Sequence, residues 1–300
     1  MSIQPFAIHC YGAPACPRRA AAPDRIGVHE AATMLLRERV KELFRYRELL
    51  WLLVRQDLAL RYRRTVLGFF WSLLSPVATM VILATVFHFV IRIDMASYAV
   101  FLLASMLPWS FFAVTLTESS VSILHKHDLV SRQPFPKLVL PLATAGSNLV
   151  NFLLSFGVLV GLVGPQLGVM PSWAWVYLPL GFVCVFAFTV GLAAIAAAST
   201  VYLRDVQQIV TVVLPAWMYA TPILYPLELP NGQEIVPEAF HAYFKLNPIY
   251  AILQLFVRPI YWGTAPDASD ITAALSTSAL VLVVGVAFFW WREDELVFHL

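Results

Sequence analysis

Charged side chains are scarce in this 300-residue sequence. Asp, Glu, Lys and Arg together make up 13% of the residues, whereas hydrophobic residues make up 60%. A soluble domain carries roughly 25% charged residues. Because so little polar surface remains to face water, this shortage excludes an ordinary soluble globular domain and predicts an integral membrane protein.

The sequence also lacks the motifs with which a chain performs its own chemistry. It contains no GxxxxGK[ST] phosphate loop, no GxSxG nucleophile turn and no HExxH zinc motif. The three cysteines, Cys10, Cys16 and Cys184, have no metal-binding spacing. We therefore predict no catalytic residue and no metal site, and a net charge of only +2 argues against a nucleic-acid-binding protein.

Carboxylates are nearly absent from the apolar runs as well. Only Glu118, near the end of the second run, is a candidate for an acidic group within the membrane. Carriers driven by protons or sodium ions usually need ionisable groups near the middle of the membrane. We therefore expect the energy for any transport to come from another polypeptide.

Uninterrupted apolar sequence is abundant. A membrane-spanning helix needs about 20 apolar residues. Five long stretches are free of Asp, Glu, Lys and Arg, and the third, with 66 residues, is divided by a Gly/Pro turn cluster. Residues 246–257 are also apolar, but this stretch is too short to cross and is predicted to be interfacial or re-entrant. The six predicted spans lie in residues 65–91, 95–117, 138–203 (two spans), 206–227 and 271–291.

Basic residues are distributed unevenly between the two sides of these spans. Seventeen of the 20 Lys and Arg residues fall on the side that holds both termini, and only Arg92, Lys245 and Arg258 fall on the other. Positive charge accumulates on the cytoplasmic side of membrane proteins. Both termini are therefore predicted to be cytoplasmic, which places residues 223–262, rich in proline and aromatic residues, on the outer side.

Residues 34–64, ahead of the first span, are predicted to form an amphipathic helix at the membrane interface. At 100° per residue, Leu50, Val54 and Leu58 share one face, and polar and basic residues occupy the other. The helix is either a lipid anchor alone or a platform for a soluble partner. The proline-rich residues 1–33 lack the apolar core of a signal peptide and are expected to be a disordered cytoplasmic head.

The loop of residues 125–137, between the second and third spans, is longer than a connector requires. It is polar and basic, yet it contains an apolar Leu129-Val130 pair and a rigid Pro-Phe-Pro sequence. We predict a short cytoplasmic coupling helix that docks into a partner protein. His125 and His127 have no third ligand nearby, so we interpret them as solvated loop residues rather than as a metal site.

Three stretches together resemble a known family. The first, residues 55–72, reads RQDLALRYRRTVLGFFWS, and the second, residues 129–141, reads LVSRQPFPKLVLP. The third is a series, with YLRDV at residues 202–206, TPILYP at residues 221–226, and then Asn247-Pro248 and Arg258. In order and spacing they are similar to the membrane (permease) subunit of ABC transporters that export lipid-linked polysaccharides such as O-antigen, capsule and teichoic acid. The resemblance covers roughly residues 40 to 292.

The resemblance implies a homodimer of this chain with two copies of a separate ABC ATPase subunit, in the bacterial inner (cytoplasmic) membrane. No cofactor would be bound by this chain, and ATP and Mg²⁺ would act through the partner ATPase. The cargo would be an undecaprenyl-pyrophosphate-linked polysaccharide of the O-antigen class, moved from cytoplasm to periplasm.

The fold implied by these arguments is an all-α integral membrane domain of six transmembrane helices over residues 65–292. It would carry the N-terminal amphipathic interface helix, the coupling helix within residues 125–137, and short re-entrant helices on the outer side within residues 223–262. Residues 293–300 would form a cytoplasmic tail.

Contact with the ATPase is predicted for the interface helix and the coupling loop. The candidate residues are Arg45, Arg55, His125, Lys126, Asp128, Leu129, Arg132, Phe135, Pro136 and Lys137.

Two further groups are candidates for contact with the cargo. The cluster before the first span would attract the lipid pyrophosphate, or would only satisfy the charge rule for cytoplasmic segments. Aromatic side chains would stack on sugar rings along a channel, or would be ordinary interfacial and core residues. The first group is Arg61, Tyr62, Arg63 and Arg64, and the second is Phe69, Phe70, Trp71, Trp109, Phe112, Trp217, Tyr219 and Tyr225.

Other functions remain open from the sequence. The chain is also compatible with an ABC permease for a drug or small lipid, or with a membrane enzyme of glycan assembly. Such an enzyme would need acidic residues in an outer loop, and the first outer loop offers only Asp94.

Overall fold

The structure of the chain, a computed structural model, separates into a small N-terminal unit, Met1–Phe44, and a large unit, Arg45–Leu300. In the small unit, the described residues 38–39 and 41–44 are helical. The predicted disordered head at residues 1–33 lies outside the described residues. Described are residues 38–39, 41–62, 70–91, 95–166, 168, 171–227, 237 and 243–299.

Helices are the only regular elements in the described part of the chain, which confirms the predicted all-α class. In a membrane, a helix satisfies its backbone hydrogen-bonding groups within its own segment. Short π-helical turns follow two of the helices, at Leu159–Val163 and Arg258–Trp262. In chain order the described α-helices of four or more residues in the large unit are α1 (Arg47–Tyr62), α2 (Phe70–Ile91), α3 (Met95–Ser120), α4 (Ser122–His125), α5 (His127–Arg132), α6 (Val139–Val158), α7 (Leu178–Tyr202), α8 (Asp205–Tyr219), α9 (Pro248–Val257) and α10 (Ala268–His299).

Four helices within the described residues are long and apolar enough to cross a membrane. They comprise Tyr98–Ser120, Val139–Gly161, Trp173–Tyr202 and Ala268–Glu293, and thus correspond to α3, α6, α7 and α10. All four coincide with spans predicted from the charge-free runs. The positions of the other two predicted spans are occupied by α2, with 22 residues, and α8, with 15 residues.

The helix α8 is shorter than the charge-free run that predicted its span. It ends at Tyr219, and residues 220–227 form turns. Pro222 lies in these turns, and a proline disfavours helical backbone at the residue before it. The turns pack back against α3, where the Ser105 hydroxyl donates to the Ile223 carbonyl at 2.9 Å.

The helix α3 lies at the centre of the large unit. It packs against α2, α6, α7, α8 and α9, and most of its side chains are buried, with Leu102 and Phe112 at 0% exposure. Aromatic contacts join α6, α7 and α9, with ring centroids 4.9 to 6.2 Å apart. Such tilted and edge-to-face pairs add to the stability gained by burial. The rings are Phe152, Phe156, Phe182 and Phe256.

The helices α7 and α10 approach each other so closely that only glycine fits at their crossing. A Cβ atom on Gly191 would lie 2.3 Å from the Val281 carbonyl oxygen, and one on Gly285 would lie 2.0 Å from the Gly191 carbonyl oxygen. Small residues allow backbones to meet in this way in membrane proteins, where van der Waals packing drives helix association.

The short helix α9 corresponds to the apolar stretch that was predicted not to cross. Eight of its ten residues are buried. Asn247 caps the start of α9, because its Oδ1 atom accepts a hydrogen bond from the Ile249 backbone N–H at 3.3 Å. The same oxygen accepts a second hydrogen bond from the Trp217 indole N–H at 3.1 Å. The Asn247 Nδ2 group donates to Thr221 Oγ1 at 2.8 Å. This one amide side chain therefore joins α9 to the end of α8.

The crossing of α7 and α10 gives a test of the packing. Gly191→Ala is expected to push the two backbones apart and to lower the free energy of unfolding by about 1–3 kcal/mol, as overpacking does. Thermal melting of the purified chain in detergent measures the loss. Gly157→Ala on α6 is the control, because a Cβ there meets nothing within 4 Å. Equal melting of both variants would contradict the close approach.

Candidate functional site

The helix α1 is attached to the segment of residues 125–137, which connects α4 to α6, at two points. Near the start of this segment, Lys126 Nζ lies 3.0 and 3.4 Å from the two carboxylate oxygens of Asp57. Near its end, the Pro134 carbonyl accepts a hydrogen bond at 3.1 Å from the hydroxyl of Tyr46, the residue directly before α1. The two elements are therefore in direct polar contact at two points.

One face of α1 packs on the bundle, and the opposite face is exposed. Leu53 and Val54 are buried, and Val54 Cγ2 lies 3.1 Å from the position a Cβ on Gly146 of α6 would take. Trp51 and Leu52 are exposed, although both are apolar. An exposed apolar face on a helix that also carries exposed charges is typical of a helix at a membrane interface.

The predicted coupling residues divide into exposed and anchoring side chains. Those that are exposed are available to a soluble partner, whereas those that are buried fix the segment to the bundle. The exposed group is Arg45, Arg55, His125 and Asp128, the partly buried group is Lys126, Leu129 and Lys137, and the buried group is Phe135 and Pro136. The side chain of Arg132 lies outside the described part.

A buried carboxylate holds the end of the 125–137 segment. Glu293 on α10 is 2% exposed, and its Oε1 accepts the backbone N–H of Lys137 at 2.7 Å. This amide lies just before α6, where a helix N-terminus favours negative charge. The sequence predicts a cytoplasmic tail over residues 293–300, and in the structure α10 continues through this segment to His299. Glu293 is thus a positioning residue that sequence reasoning missed.

Arg61, at the end of α1, lies in a polar network with α3 and α6. Its Nη2 atom donates to both carboxylate oxygens of Glu118 at 2.7 Å, and its Nη1 atom donates to Asn148 Oδ1 at 2.8 Å. Asn148 Nδ2 in turn donates to Glu118 Oε2 at 2.9 Å. Because the ion pair is about one-third exposed on each side, solvent screens it. The guanidinium charge is balanced, yet it remains accessible to water.

Tyr62 extends this network to Asn151, one helical turn after Asn148 on α6. Its hydroxyl donates to Asn151 Oδ1. Asn151 Nδ2 is buried and has no hydrogen-bond partner among the described residues. Arg63 and Arg64, predicted to join Arg61 and Tyr62, lie outside the described residues.

The two asparagines were not singled out by sequence reasoning. The signal that could have found them is their spacing, since they stand three residues apart in an otherwise apolar helix and therefore share one face of α6.

Three of the predicted channel aromatics meet in one cluster. Ring centroids within it lie 5.3 to 6.4 Å apart, in edge-to-face and tilted arrangements. Phe112 is fully buried and Trp109 nearly so, so within a single chain they act as core residues. The members are Trp109, Phe112, Phe188 and Trp217.

Tyr219 and Tyr225, two further predicted channel residues, make no ring contact with this cluster. Tyr219 is exposed, and its carbonyl accepts the partly buried Tyr225 hydroxyl at 3.4 Å. Burial raises the pKa of Tyr225. Phe69 and the side chains of Phe70 and Trp71 lie outside the described part of the chain.

A groove of about 410 Å³ runs between α3 and α8. Glu118 marks one end and Trp109 the other, nine residues earlier on α3 and so about 14 Å away. The groove therefore leads from the polar network around Arg61 toward the aromatic cluster. The helix α8 contributes Thr211, Leu214, Pro215 and Met218.

Within the described residues, no group of three or more His, Cys, Asp or Glu side chains is arranged to hold a metal ion. His125 and His127 are both exposed. The chemistry of this end of the molecule is thus ion pairing, amide hydrogen bonding and aromatic packing.

Comparison with known proteins identifies the family. The ABC-2 type transporter profile matches residues 48–261, from α1 to the turn after α9. The chain belongs to this family. It is 32% identical over 256 residues to the O-antigen export system permease protein RfbA of Myxococcus xanthus, covering 85% of this chain and 96% of that protein.

More distant relatives match over similar lengths. An O-antigen export system permease protein RfbA of Klebsiella pneumoniae is 28% identical over 243 residues, 81% of this chain and 91% of that protein. The polysialic acid transport protein KpsM of Escherichia coli is 19% identical over 246 residues, 81% of this chain and 92% of that protein.

Membership of this family, together with the four apolar helices, makes the chain a multi-pass bacterial membrane protein and a transporter permease. The predicted family is confirmed. The chain is not an enzyme, because ATP hydrolysis in this class of transporter is performed by a separate subunit.

The pair of Asp57 and Lys126 is open to direct measurement. Because both side chains are less than one-quarter exposed, a double-mutant cycle of Asp57→Ala and Lys126→Ala should give a coupling energy of roughly 0.5–1 kcal/mol in the unfolding of the purified chain. The exposed pair of Arg292 and Glu295, three residues apart on α10, is the matched control and should give less. A coupling energy near zero for the first pair would show that it does not hold α1 to the segment.

Proposed function

We propose that this chain is the transmembrane subunit of an ATP-driven exporter that moves an undecaprenyl-pyrophosphate-linked polysaccharide of the O-antigen class from cytoplasm to periplasm. The observation that carries the proposal is the attachment of α1 to the 125–137 segment at one end of the bundle. The relatives named for O-antigen export and polysialic acid transport, which match over most of their length, support the class of cargo.

The assembly consists of two copies of this chain and two copies of the partner ATPase. Exposed apolar residues on α8, such as Ile209, Val212 and Val213, are suited to lipid or to the second copy. The helices α2 and α8 supply the first and fifth of six spans, and both termini are cytoplasmic, as the distribution of basic residues predicts. The α1 end of the bundle is then the cytoplasmic end.

Coupling starts at the exposed side chains of α1 and the 125–137 segment. ATP binding closes the ATPase dimer against these two elements. Because Asp57 binds Lys126 and Tyr46 binds Pro134, the two elements move together. The buried Glu293 carries the movement into α6 and α10 through the Lys137 amide.

The lipid pyrophosphate is received at the Arg61 network. In the structure the guanidinium of Arg61 forms an ion pair with Glu118, so an incoming phosphate has to compete with this carboxylate. The phosphate forms charge-assisted hydrogen bonds with arginine. The Nδ2 group of Asn151, which has no hydrogen-bond partner among the described residues, lies one helical turn from Asn148 and supplies a further donor.

The glycan then follows the groove between α3 and α8. The groove begins at Glu118 and reaches Trp109, where the aromatic cluster starts. Aromatic faces suit the C–H faces of sugar rings. Since Trp109 and Phe112 are core residues in a single chain, the exposed Tyr219 offers the most accessible stacking surface of the predicted set.

Reversal of one charge at the α1 attachment tests the coupling. Asp57→Lys or Lys126→Asp alone should reduce glycan display several-fold in a deletion strain supplied with the chain and its ATPase, because like charges then face each other at about 3 Å. The double variant should restore display. Surface glycan is measured by gel and immunoblot, with the membrane level of each variant held equal. Wild-type display by both single variants would reject this coupling route.

The Arg61 network gives a second test, in which substitutions of Glu118 and of Arg61 are expected to change lipid affinity in opposite directions. Glu118→Gln should tighten binding of undecaprenyl pyrophosphate to the nanodisc-embedded complex, because it removes the competing carboxylate. Arg61→Gln should weaken binding by about tenfold, the loss of one charge-assisted contact.

The control for this test is Arg204→Gln, an exposed arginine between α7 and α8 that is outside the network. A purely structural network would lower the melting temperature of both Arg61→Gln and Glu118→Gln and leave lipid binding unchanged, and that result would rule out the headgroup role.

A further inference from the structure

A separate cavity lies at the end of the bundle opposite α1, and we call it the α9 cavity. Its volume is about 330 Å³, at the lower end of the range for small-molecule sites. Its walls come from the start of α3, the turns after α8, the helix α9 and the turn Arg258–Trp262. Phe101 lies in the wall seventeen residues before Glu118 on α3, so the cavity is about 26 Å from the Arg61 network.

The lining combines aromatic faces with hydrogen-bonding groups. Phe101 and Tyr250 are buried and form the floor, whereas Trp262 and Lys245 are exposed and stand at the opening. Six of the eleven lining side chains carry a polar atom, which makes the cavity unsuited to a lipid tail. Flat aromatic surfaces beside polar groups fit a sugar ring, which has apolar C–H faces and a polar edge.

Two polar side chains in the lining have no hydrogen-bond partner in the part of the chain that the structure describes. Neither the Gln254 amide nor the Lys245 ammonium forms a hydrogen bond with another described residue. An amide offers two donors and an acceptor, and an ammonium offers three donors. These groups match the alternating donor and acceptor character of sugar hydroxyls.

The charge balance of the cavity distinguishes between sugar and phosphate. Arg258 Nη2 lies 2.6 Å from Asp267 Oδ2, and Arg258 Nε lies 3.9 Å from Asp270 Oδ2. The two carboxylates offset the two cations, Arg258 and Lys245, so no excess of positive charge remains. A pyrophosphate site needs such an excess, and the cavity therefore favours an uncharged ligand.

The backbone at this wall is unusual as well. The turn Arg258–Trp262 is π-helical, a rare conformation that frequently occurs at functional sites. It brings Arg258 and Trp262 to the same cavity, and Gly263 ends it with φ at 66°, a left-handed conformation that favours glycine.

We propose that the α9 cavity binds a short, uncharged stretch of the glycan as it leaves the transporter. This inference rests on the proposed function, because export from the α1 end to the opposite end is what brings sugar to the cavity. Trp262 and Tyr250 provide stacking surfaces, and Gln254 and Lys245 donate to hydroxyls. A sugar held here cannot slip back while the ATPase resets.

The test uses the full chain, purified with its ATPase in nanodiscs, and an oligosaccharide released from the surface glycan of the source strain. Calorimetric titration should show that Trp262→Ala and Gln254→Leu each weaken binding by about five- to tenfold. Gln254→Leu keeps the side-chain volume, so the fold is not at risk.

Trp173→Ala is the matched control. Trp173 is exposed and begins a short 3-10 helix, Trp173–Tyr177, that contacts Arg258–Trp262, but it does not line the cavity. This variant should bind the oligosaccharide as the wild type does. Wild-type affinity in both cavity variants overturns the proposal, and so does binding of inorganic pyrophosphate that depends on Lys245 without binding of the oligosaccharide.

Failure of the proposed function has a different signature. A strain that lacks the gene for this chain would then display its glycan normally, whatever the purified variants bind. If display requires the wild-type chain, and the cavity variants support it at the wild-type rate with unchanged oligosaccharide affinity, the export function stands and the cavity assignment falls.

Discussion

The attachment of α1 to the helix bundle is the constraint on which the rest of the molecule depends. A permease that does not hydrolyse ATP has to receive mechanical work at one surface and pass it to its spans. The ion pairs of α1 are individually weak, each about 1 kcal/mol or less, because water reaches them. The contact of Val54 with Gly146 is not weakened by salt. Firm attachment therefore comes from several contacts distributed along α1 rather than from one strong bond.

Much of the fold could be predicted from the positions of charged residues. The helices α3, α6, α7 and α10 coincide with charge-free runs, because a helix in lipid excludes unpaired charge along its whole length. The helix α8 is shorter than its charge-free run. A run without charged residues indicates that the segment lies in an apolar environment, but it does not indicate where the helical backbone ends. The regular structure ends at Tyr219, three residues before Pro222, in a stretch without charged residues.

For the candidate site, individual residues could be predicted from the sequence, but the contacts between them could not. Asp57 and Lys126 stand 69 residues apart, and Arg61 and Glu118 stand 57 apart. Each residue was visible in the sequence, but their pairing depends on how α1 packs across α6, and no local pattern encodes that. Glu293 shows the same limit, because an acidic residue after a span is usually solvated, whereas this one meets a backbone amide 156 positions away.

The contact of Gly191 with Gly285 limits which parts of the bundle can change position during a transport cycle. Two helices whose carbonyl groups and glycine Cα atoms meet directly cannot slide or roll past each other without collision. We therefore expect the pair α7 and α10 to behave as one rigid unit, so that changes in the shape of the bundle fall to the other helices. Two glycines that carry no chemistry of their own thus decide which part of the bundle keeps its shape.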